Sequence, residues 1–203
     1  MLDVVVDGNV VQVPVEGEDT VGDIVGRIAS NLDKRRRVVG VRVNGEDITG
    51  VAEHHLAKAE NLQRMEVTTG LAGDLAVQTL ESIEEFRKAL VLELNSASEQ
   101  YRLGNVTGSN DLFVRCLDGL QILLRTTHSV ATLLEKKGDE ISTGEMTLDS
   151  ATDRLSQLLD ELIDAQRNQD SILIADLIEY ELQPLLEDWK RGIDSLKEIG
   201  AAA

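Results

Sequence analysis

Aromatic side chains are nearly missing from this chain: Trp189, Tyr101, Tyr180, Phe86 and Phe113 are the only five in 203 residues. Five are too few to build the stacking platforms that hold bases. Cys116 is the single cysteine and cannot form an internal disulfide, which points to a reducing compartment. Positive charge is also scarce. Against 37 Asp and Glu stand 20 Lys and Arg, and the formal charge of −17 repels phosphate backbones and anionic lipid surfaces. Neither nucleic acid nor a membrane surface is expected as a partner. No charge-free apolar run approaches the roughly 18 residues of a membrane span. The opening MLDVVVDGNVVQV has no basic stretch, apolar core or small-residue cleavage site of the kind a secretory signal carries. The expected location is the cytoplasm.

Catalytic signatures are missing too. There is no Gly-x-x-x-x-Gly-Lys loop, no dinucleotide fingerprint and no Gly-x-Ser-x-Gly. A di-iron carboxylate site needs paired Glu-x-x-His motifs, but His128 is the one histidine in the helical half and Arg125 stands three residues before it. His54 and His55 are adjacent, so their side chains diverge, and they are expected on an exposed connection with no zinc set around them. The loop from Asp139 to Asp149 lacks the alternating ligands of a calcium loop. Cys116, beside Phe113, Leu117 and Leu120, reads as a small core residue, and His128 as a hydrogen-bonded residue at the edge of an apolar stripe. No cofactor and no metal are expected.

What the chain does have is 42% hydrophobic residues, enough for genuine cores, arranged with two different periods. Up to about residue 69 the pattern is one of short strands around one helix. Val4 and Val6 precede Asp7-Gly8, a hairpin turn, and Val11, Val13 and Val15 alternate after it. Pro14 cannot donate to a ladder, which puts the second strand at a sheet edge. Thr20, with Asp23 three residues on, starts a helix whose apolar face is Val21, Ile24, Val25, Ile28 and Leu32. Lys34-Arg35-Arg36-Arg37 suits that helix's C-terminal end, or a docking patch for an acidic partner. Val39, Val41 and Val43 alternate, Asn44-Gly45 turns, Ile48 sits in a short return strand, and Met65 and Val67 lie in a last strand.

In this order VDGNVVQVPV, TVGDIVGRIA, VVGVRVNGEDIT and LQRMEVTT resemble the first hairpin, helix, middle strands and closing strand of the ubiquitin-like β-grasp fold. The resemblance covers the first third of the chain. It implies an interaction module fused to the helical remainder of the chain, because conjugated members end in a free di-glycine tail, whereas Thr68-Thr69-Gly70 here runs straight on.

After residue 70 the period becomes 3.6. Ile83, Phe86, Leu90, Leu94, Ala97 and Tyr101 mark one helix, closed by Gly104 and Gly108. A second is expected to start after Ser109 or Asn110, with Phe113, Leu117, Leu120, Leu124, Ala131 and Leu134 as its stripe. A third starts near Thr147 with Leu148, Ala151, Leu155, Leu158, Leu162 and Ala165. A fourth runs to about Glu198. The fold class expected is therefore α+β: a small ubiquitin-like β-grasp domain over 1–69, then an antiparallel four-helix bundle over 70–203 with strongly acidic outer faces.

The last helix carries more apolar surface than one core needs. At 100° per residue, Ile174, Ile178, Leu182, Leu185, Trp189, Ile193 and Leu196 share one sector. A second stripe, Leu173, Leu177, Tyr180 and Pro184, is centred on another face and is the candidate interface. Packing against the first domain, self-association and a surface for another protein are the three readings of it. Pro184 removes an amide and crowds the turn at Tyr180, so the helix is expected to kink or break there. The function expected is a non-catalytic interaction protein, an adaptor or a chaperone that covers a client's hydrophobic helices, as small acidic secretion chaperones do. The alternatives are a homo-oligomeric scaffold and an enzyme using Asp176, Glu179 and Glu181. The last is disfavoured because these three acids point in different directions from their helix.

Overall fold

Two tight turns set the register of the sheet. Strand β1 (Leu2–Val6) reverses through Asp7 and Gly8 into β2 (Asn9–Val13), and β3 (Arg36–Val43) reverses through Asn44 and Gly45 into β4 (Glu46–Asp47). All four turn residues have positive φ, at 49°, 84°, 51° and 90°, the backbone that Asp-Gly and Asn-Gly adopt readily in two-residue hairpins. The computed structural model describes residues 1–50 and 62–203. Strand β5 (Met65–Leu71) runs parallel to β1 and antiparallel to β3, giving the order β2-β1-β5-β3-β4, with β2 at one edge, where the proline after it does no harm.

Helix α1 (Val21–Ser30) starts at Thr20, whose hydroxyl accepts from the Asp23 amide at 3.2 Å while the Asp23 carboxylate accepts from the Thr20 amide at 2.9 Å. Its buried face, Val21, Ile24 and Ile28, forms a core with Val4, Val13, Val41, Ile48, Met65 and Val67. The basic run does not end this helix. Asn31 caps α1, and Arg36 and Arg37 belong to β3. Arg36 donates through Nε to the Thr69 hydroxyl at 2.7 Å and through Nη2 to Asp7 at 3.1 Å, so a strand position with two neighbouring acceptors takes the charge.

The mixed α+β chain divides into two compact units, Met1–Leu75 and Ala76–Ala203. Strand β5 passes without a linker into α2 (Ala72–Arg102), and the division falls within that helix. Gly104, at φ 78°, stops α2. Helix α3 (Val106–Leu133) then begins earlier than expected: the Asn105 side chain accepts from the Gly108 amide, and the Ser109 amide already bonds the Asn105 carbonyl at 3.0 Å. Asparagine with a helix-compatible stretch behind it caps as well as Ser109 or Asn110 would. Thr147 caps α4 (Leu148–Arg167), where all six expected residues from Leu148 to Ala165 are buried.

The last helical segment neither breaks nor stops at Pro184. Helix α5 (Ser171–Leu177) continues through a π-helical turn, Ile178–Leu182, into α6 (Gln183–Ala201), with helical φ and ψ at the residues on both sides of it. The Gln183 amide reaches back to the Ile178 carbonyl, and Pro184 sits in the first turn of α6, where the widened turn before it accommodates a residue without an amide. Trp189 is fully buried, and its indole donates to the Thr127 hydroxyl at 3.1 Å. One continuous apolar core joins α2 through α6. Among the described residues no helix is long and apolar enough to cross a membrane.

Candidate functional site

The four residues expected to form an interface part company. Leu177 is only 9% exposed and belongs to the core of the second unit, beside Ile174, Ala175 and Ile178. The widened turn starts immediately after it, and a wheel drawn at a constant 100° misplaces its neighbours. Leu173 and Tyr180 are exposed, at 43% and 61%, and Pro184 is exposed as well. Tyr180 is not bare: the Arg102 guanidinium lies 6.0 Å from its ring centroid. The same Arg102 Nη2 donates to Asp176 at 2.7 Å and Glu179 at 2.8 Å. In place of a stripe there is a small patch cross-linked to α2.

The acids offered for catalysis do not converge. Asp176 and Glu179 share Arg102, while Glu181 accepts from Arg154 at 2.9 Å. Cys116 is fully buried, and burial pushes its thiol up to about 11, far from a nucleophile's range. His128 is half-buried, with Nε2 3.1 Å from the Thr152 hydroxyl. Among the described residues no group of three or more His, Cys, Asp or Glu is placed to hold a metal ion. His54 and His55 lie outside the described residues.

A feature with the shape of a binding site lies elsewhere, between α3 and α4. An apolar groove of about 210 Å³ is lined by Phe113, Leu117, Leu120 and Leu124 from α3, by Leu155, Leu159, Leu162 and Ile163 from α4, and by Gln121 and Gln166. The hydrogen bond between His128 and Thr152 fixes the register of the two antiparallel helices, so Leu124 stands opposite Leu155 and Phe113 opposite Gln166. Each lining run covers about eleven residue steps, roughly 16 Å of helix, or three turns. Phe113, Leu120, Leu155 and Leu162 are buried and make the floor; Leu117, Leu124 and Leu159 are half-buried walls, and Ile163 is exposed. Phe113 is fixed by an edge-on contact with Tyr101, 6.4 Å between centroids, and the Tyr101 hydroxyl donates to Asn110 at 2.6 Å.

The hydrophobic period alone hides this groove, because it places Leu117 and Leu124 in the core stripe of α3. The buried side of that helix is instead Cys116, Leu120, Leu123, Thr127 and Val130, with Phe113 and Ala131 at its margin. A signal is present in the residues. Asp111, Phe113, Leu117, Asp118, Leu120 and Arg125 recur in α4, at the same spacing, as Asp153, Leu155, Leu159, Asp160, Leu162 and Arg167. Two helices with the same oversized apolar face, placed side by side, leave a trough where those faces fail to close on each other.

Residues 78–192 match the model of a family described as Domain of unknown function (DUF8042). The chain belongs to this family. The groove lies wholly within the DUF8042 stretch, which begins in α2 and ends in α6, whereas the five-stranded sheet precedes it. The chain is also similar to an uncharacterized protein of Treponema pallidum (strain Nichols), 25% identical over 198 residues, which are 95% of this chain and 96% of that one. No solved structure matches.

Proposed function

We propose that this DUF8042 protein is a non-catalytic interaction protein, of adaptor or chaperone type, that holds an apolar helix of another protein in the groove between α3 and α4. The observation that carries the reading is the groove itself: eight apolar side chains along three helical turns, with polar side chains confined to two glutamines. A helix laid into such a trough buries its apolar stripe as a further helix of the core would. At about 25 cal/mol per Å² of apolar area, a few leucine-sized anchors suffice for specific association. We further read the first unit as a ubiquitin-like β-grasp module and the second as an acidic four-helix bundle. The strand order β2-β1-β5-β3-β4, the parallel pairing of β1 with β5 and the placement of α1 between β2 and β3 in the chain support the first part of that reading. The common core of α2, α3, α4 and the α5–α6 segment supports the second. Since β5 continues directly into α2, the module is read as fused to the second unit and not as a tag.

The test is capture of partners by in-cell cross-linking with three tagged proteins: wild type, Leu159→Asp with Ile163→Asp, and Leu173→Asp with Tyr180→Asp. The reading expects one or more partners lost in the groove variant and kept in the second. Equal capture by all three overturns it. A scaffold that pairs with itself is the second reading, favoured by exposed Ile172, Leu173 and Tyr180 on one segment. Light scattering would show a multiple of the 22.2 kDa chain mass, falling to the single-chain value in the Leu173 and Tyr180 variant.

A further inference from the structure

We infer that the free edge of β2 pairs with β2 of a second copy of this chain, antiparallel and about a two-fold axis at Val11, so that two five-stranded sheets become one. The inference stands apart from the α3/α4 groove and from self-association through Leu173 and Tyr180. In the β1–β2 hairpin the two-residue turn makes Val6 and Asn9 the closing hydrogen-bonded pair, and Val4 with Val11 and Leu2 with Val13 follow in register. The amides and carbonyls of Asn9, Val11 and Val13 thereby face β1, while those of Val10 and Gln12 point away from the sheet. Among the described residues the outward groups of Val10 and Gln12 have no hydrogen-bond partner. The next outward residue, Pro14, has no amide, and its carbonyl accepts from Arg27 at 2.7 Å. The open stretch of backbone is therefore Val10 to Gln12.

Edge strands of proteins that stay single are guarded by a charge, a bulge or extreme shortness. Asn9-Val10-Val11-Gln12-Val13 has none of these: five residues in regular register, no charged side chain, and Val10 and Val11 exposed at 66% and 43%. The other edge is guarded, because β4 has two residues, Glu46 and Asp47, both acidic and exposed. Pairing β2 with β4 of a further copy, which would run on into a fibre, is thus blocked, and pairing β2 with β2 is self-complementary and closes. Charge favours the same place. Met1–Leu75 carry 8 basic and 13 acidic residues, or −5 of the −17, and β2 itself carries none, so two copies meet there with the least repulsion. The backbone then sets the register. With Val11 opposite its own copy, Val10 pairs with Gln12 of the second copy on each side of the axis, and four hydrogen bonds form. A shift of two residues one way sets Pro14, without an amide, opposite Val10, and the other way sets the turn residue Gly8 opposite Gln12. On the α1 side Val11 borders an apolar groove of about 350 Å³ lined in part by Val13, Pro14, Ile28 and Leu32, and Val11 of the second copy enters beside it.

Sedimentation velocity of the full chain across the micromolar range tests the pairing, and the expected result is a rise toward twice the 22.2 kDa chain mass. Gln12→Pro removes two of the four bonds across the axis and none within the hairpin, since proline is tolerated where the amide faces outward. It should raise the dissociation constant at least about tenfold, while thermal unfolding verifies that the sheet holds. Two cysteine variants test the register. Cys116 is the chain's single cysteine and is fully buried, so an engineered thiol on β2 reports cleanly. Val11 opposite its own copy sets two Cα atoms about 4.5 Å apart, within disulfide reach, whereas the two Val10 positions are diagonal neighbours about 7–8 Å apart, beyond it. Mild oxidation should therefore cross-link Val11→Cys at least about tenfold faster than Val10→Cys. A single-chain mass throughout the range overturns the inference, and capture of a strand of another protein by Val11→Cys in cells would then give the edge to that protein. A dimer that survives Gln12→Pro, or one abolished by Leu173→Asp with Tyr180→Asp, overturns it because the contact lies elsewhere. Equal cross-linking of the two cysteine variants overturns the two-fold at Val11 and the pairing with it.

Discussion

Arg87 is the test case for how the second unit holds its helices together. Its side chain is 4% exposed and that of Glu84, one turn earlier on α2, is 8% exposed. The guanidinium grips Glu84 with two parallel bonds, Nε to Oε2 at 2.9 Å and Nη2 to Oε1 at 3.1 Å. Its remaining nitrogen, Nη1, reaches α6, donating to Glu187 at 2.9 Å and to the Leu186 carbonyl at 3.4 Å. The neighbouring carboxylates hold the guanidinium charged against the burial that opposes it. Arg87→Met keeps the apolar stem and removes every donor, so Glu84 is left charged, buried and alone, at a cost of about 3–5 kcal/mol. Glu187 is 59% exposed and returns to water at little cost. For a chain of this size each kcal/mol moves Tm by roughly 2–4 °C, which puts the loss between about 6 and 20 °C. Trp189 is the single tryptophan and is buried in the same unit, so urea unfolding read by its fluorescence reports on this unit directly. Glu84→Leu combined with Arg87→Met should recover stability to within about 1 kcal/mol of wild type, because a well-packed apolar pair replaces a buried ion pair at no great loss. A single variant that loses less than about 1 kcal/mol, or a double variant as weak as the single one, would refute the assignment of Glu84 as a desolvated charge.

Three further perturbations probe other parts of the chain. Pro184→Ala should change stability by well under the roughly 3 kcal/mol that proline costs inside a regular helix, since the π-helical turn already accommodates the missing amide; a gain near that full amount in urea unfolding would mean that the proline strains α6. Asp7 accepts from the Thr69 hydroxyl and, at 2.8 Å, from the Thr69 amide, and these bonds, with Arg36 beside them, hold its carboxyl below the usual carboxylate range. Its folded pKa is thus below its unfolded one, so its stabilisation is complete above about pH 4 and fades as pH falls through the folded value. Asp7→Asn, which suits the same positive φ, should narrow its deficit relative to wild type in acid titrations below about pH 4, and a deficit constant from neutral to strongly acid pH would contradict this. With the Cys116 thiol pushed up to about 11, roughly one molecule in a thousand is thiolate at pH 8, so alkylation of the native protein should be far slower than in urea. Equal rates would show that the site opens.

Where an element buries one face and caps itself locally, the residues alone are enough. Thr20 and Thr147 are recognisable as caps, and α4 contributes to the core the six residues its period names. The departures have separate physical causes. The Lys34 to Arg37 run favours a helix terminus by local electrostatics, but Asp7 and Thr69, distant in sequence, give Arg36 better partners in a strand. The start of α3 lies earlier because Asn105, Ser109 and Asn110 are all competent caps and Gly104 stops the preceding helix soon enough for the first of them. A wheel of constant pitch puts Leu177 on a second face, and a π-helical turn is a local change of pitch that Pro184 signals without specifying.

The groove exposes a more general limit of periodic patterns. A hydrophobic period measures how wide the apolar face of a helix is; it carries no information on how many neighbours arrive to cover that face. In α3 the face extends from Cys116 and Leu123, which the core covers, to Leu117 and Leu124, which it covers by half. In α4 it extends likewise from Leu158 to Leu159 and Ile163. Of these residues Ile163 is exposed, whereas Leu117, Leu124 and Leu159 still pack in part against the core. Their apolar identity on both helices, in the same spacing, is what the proposed docking of a partner helix requires.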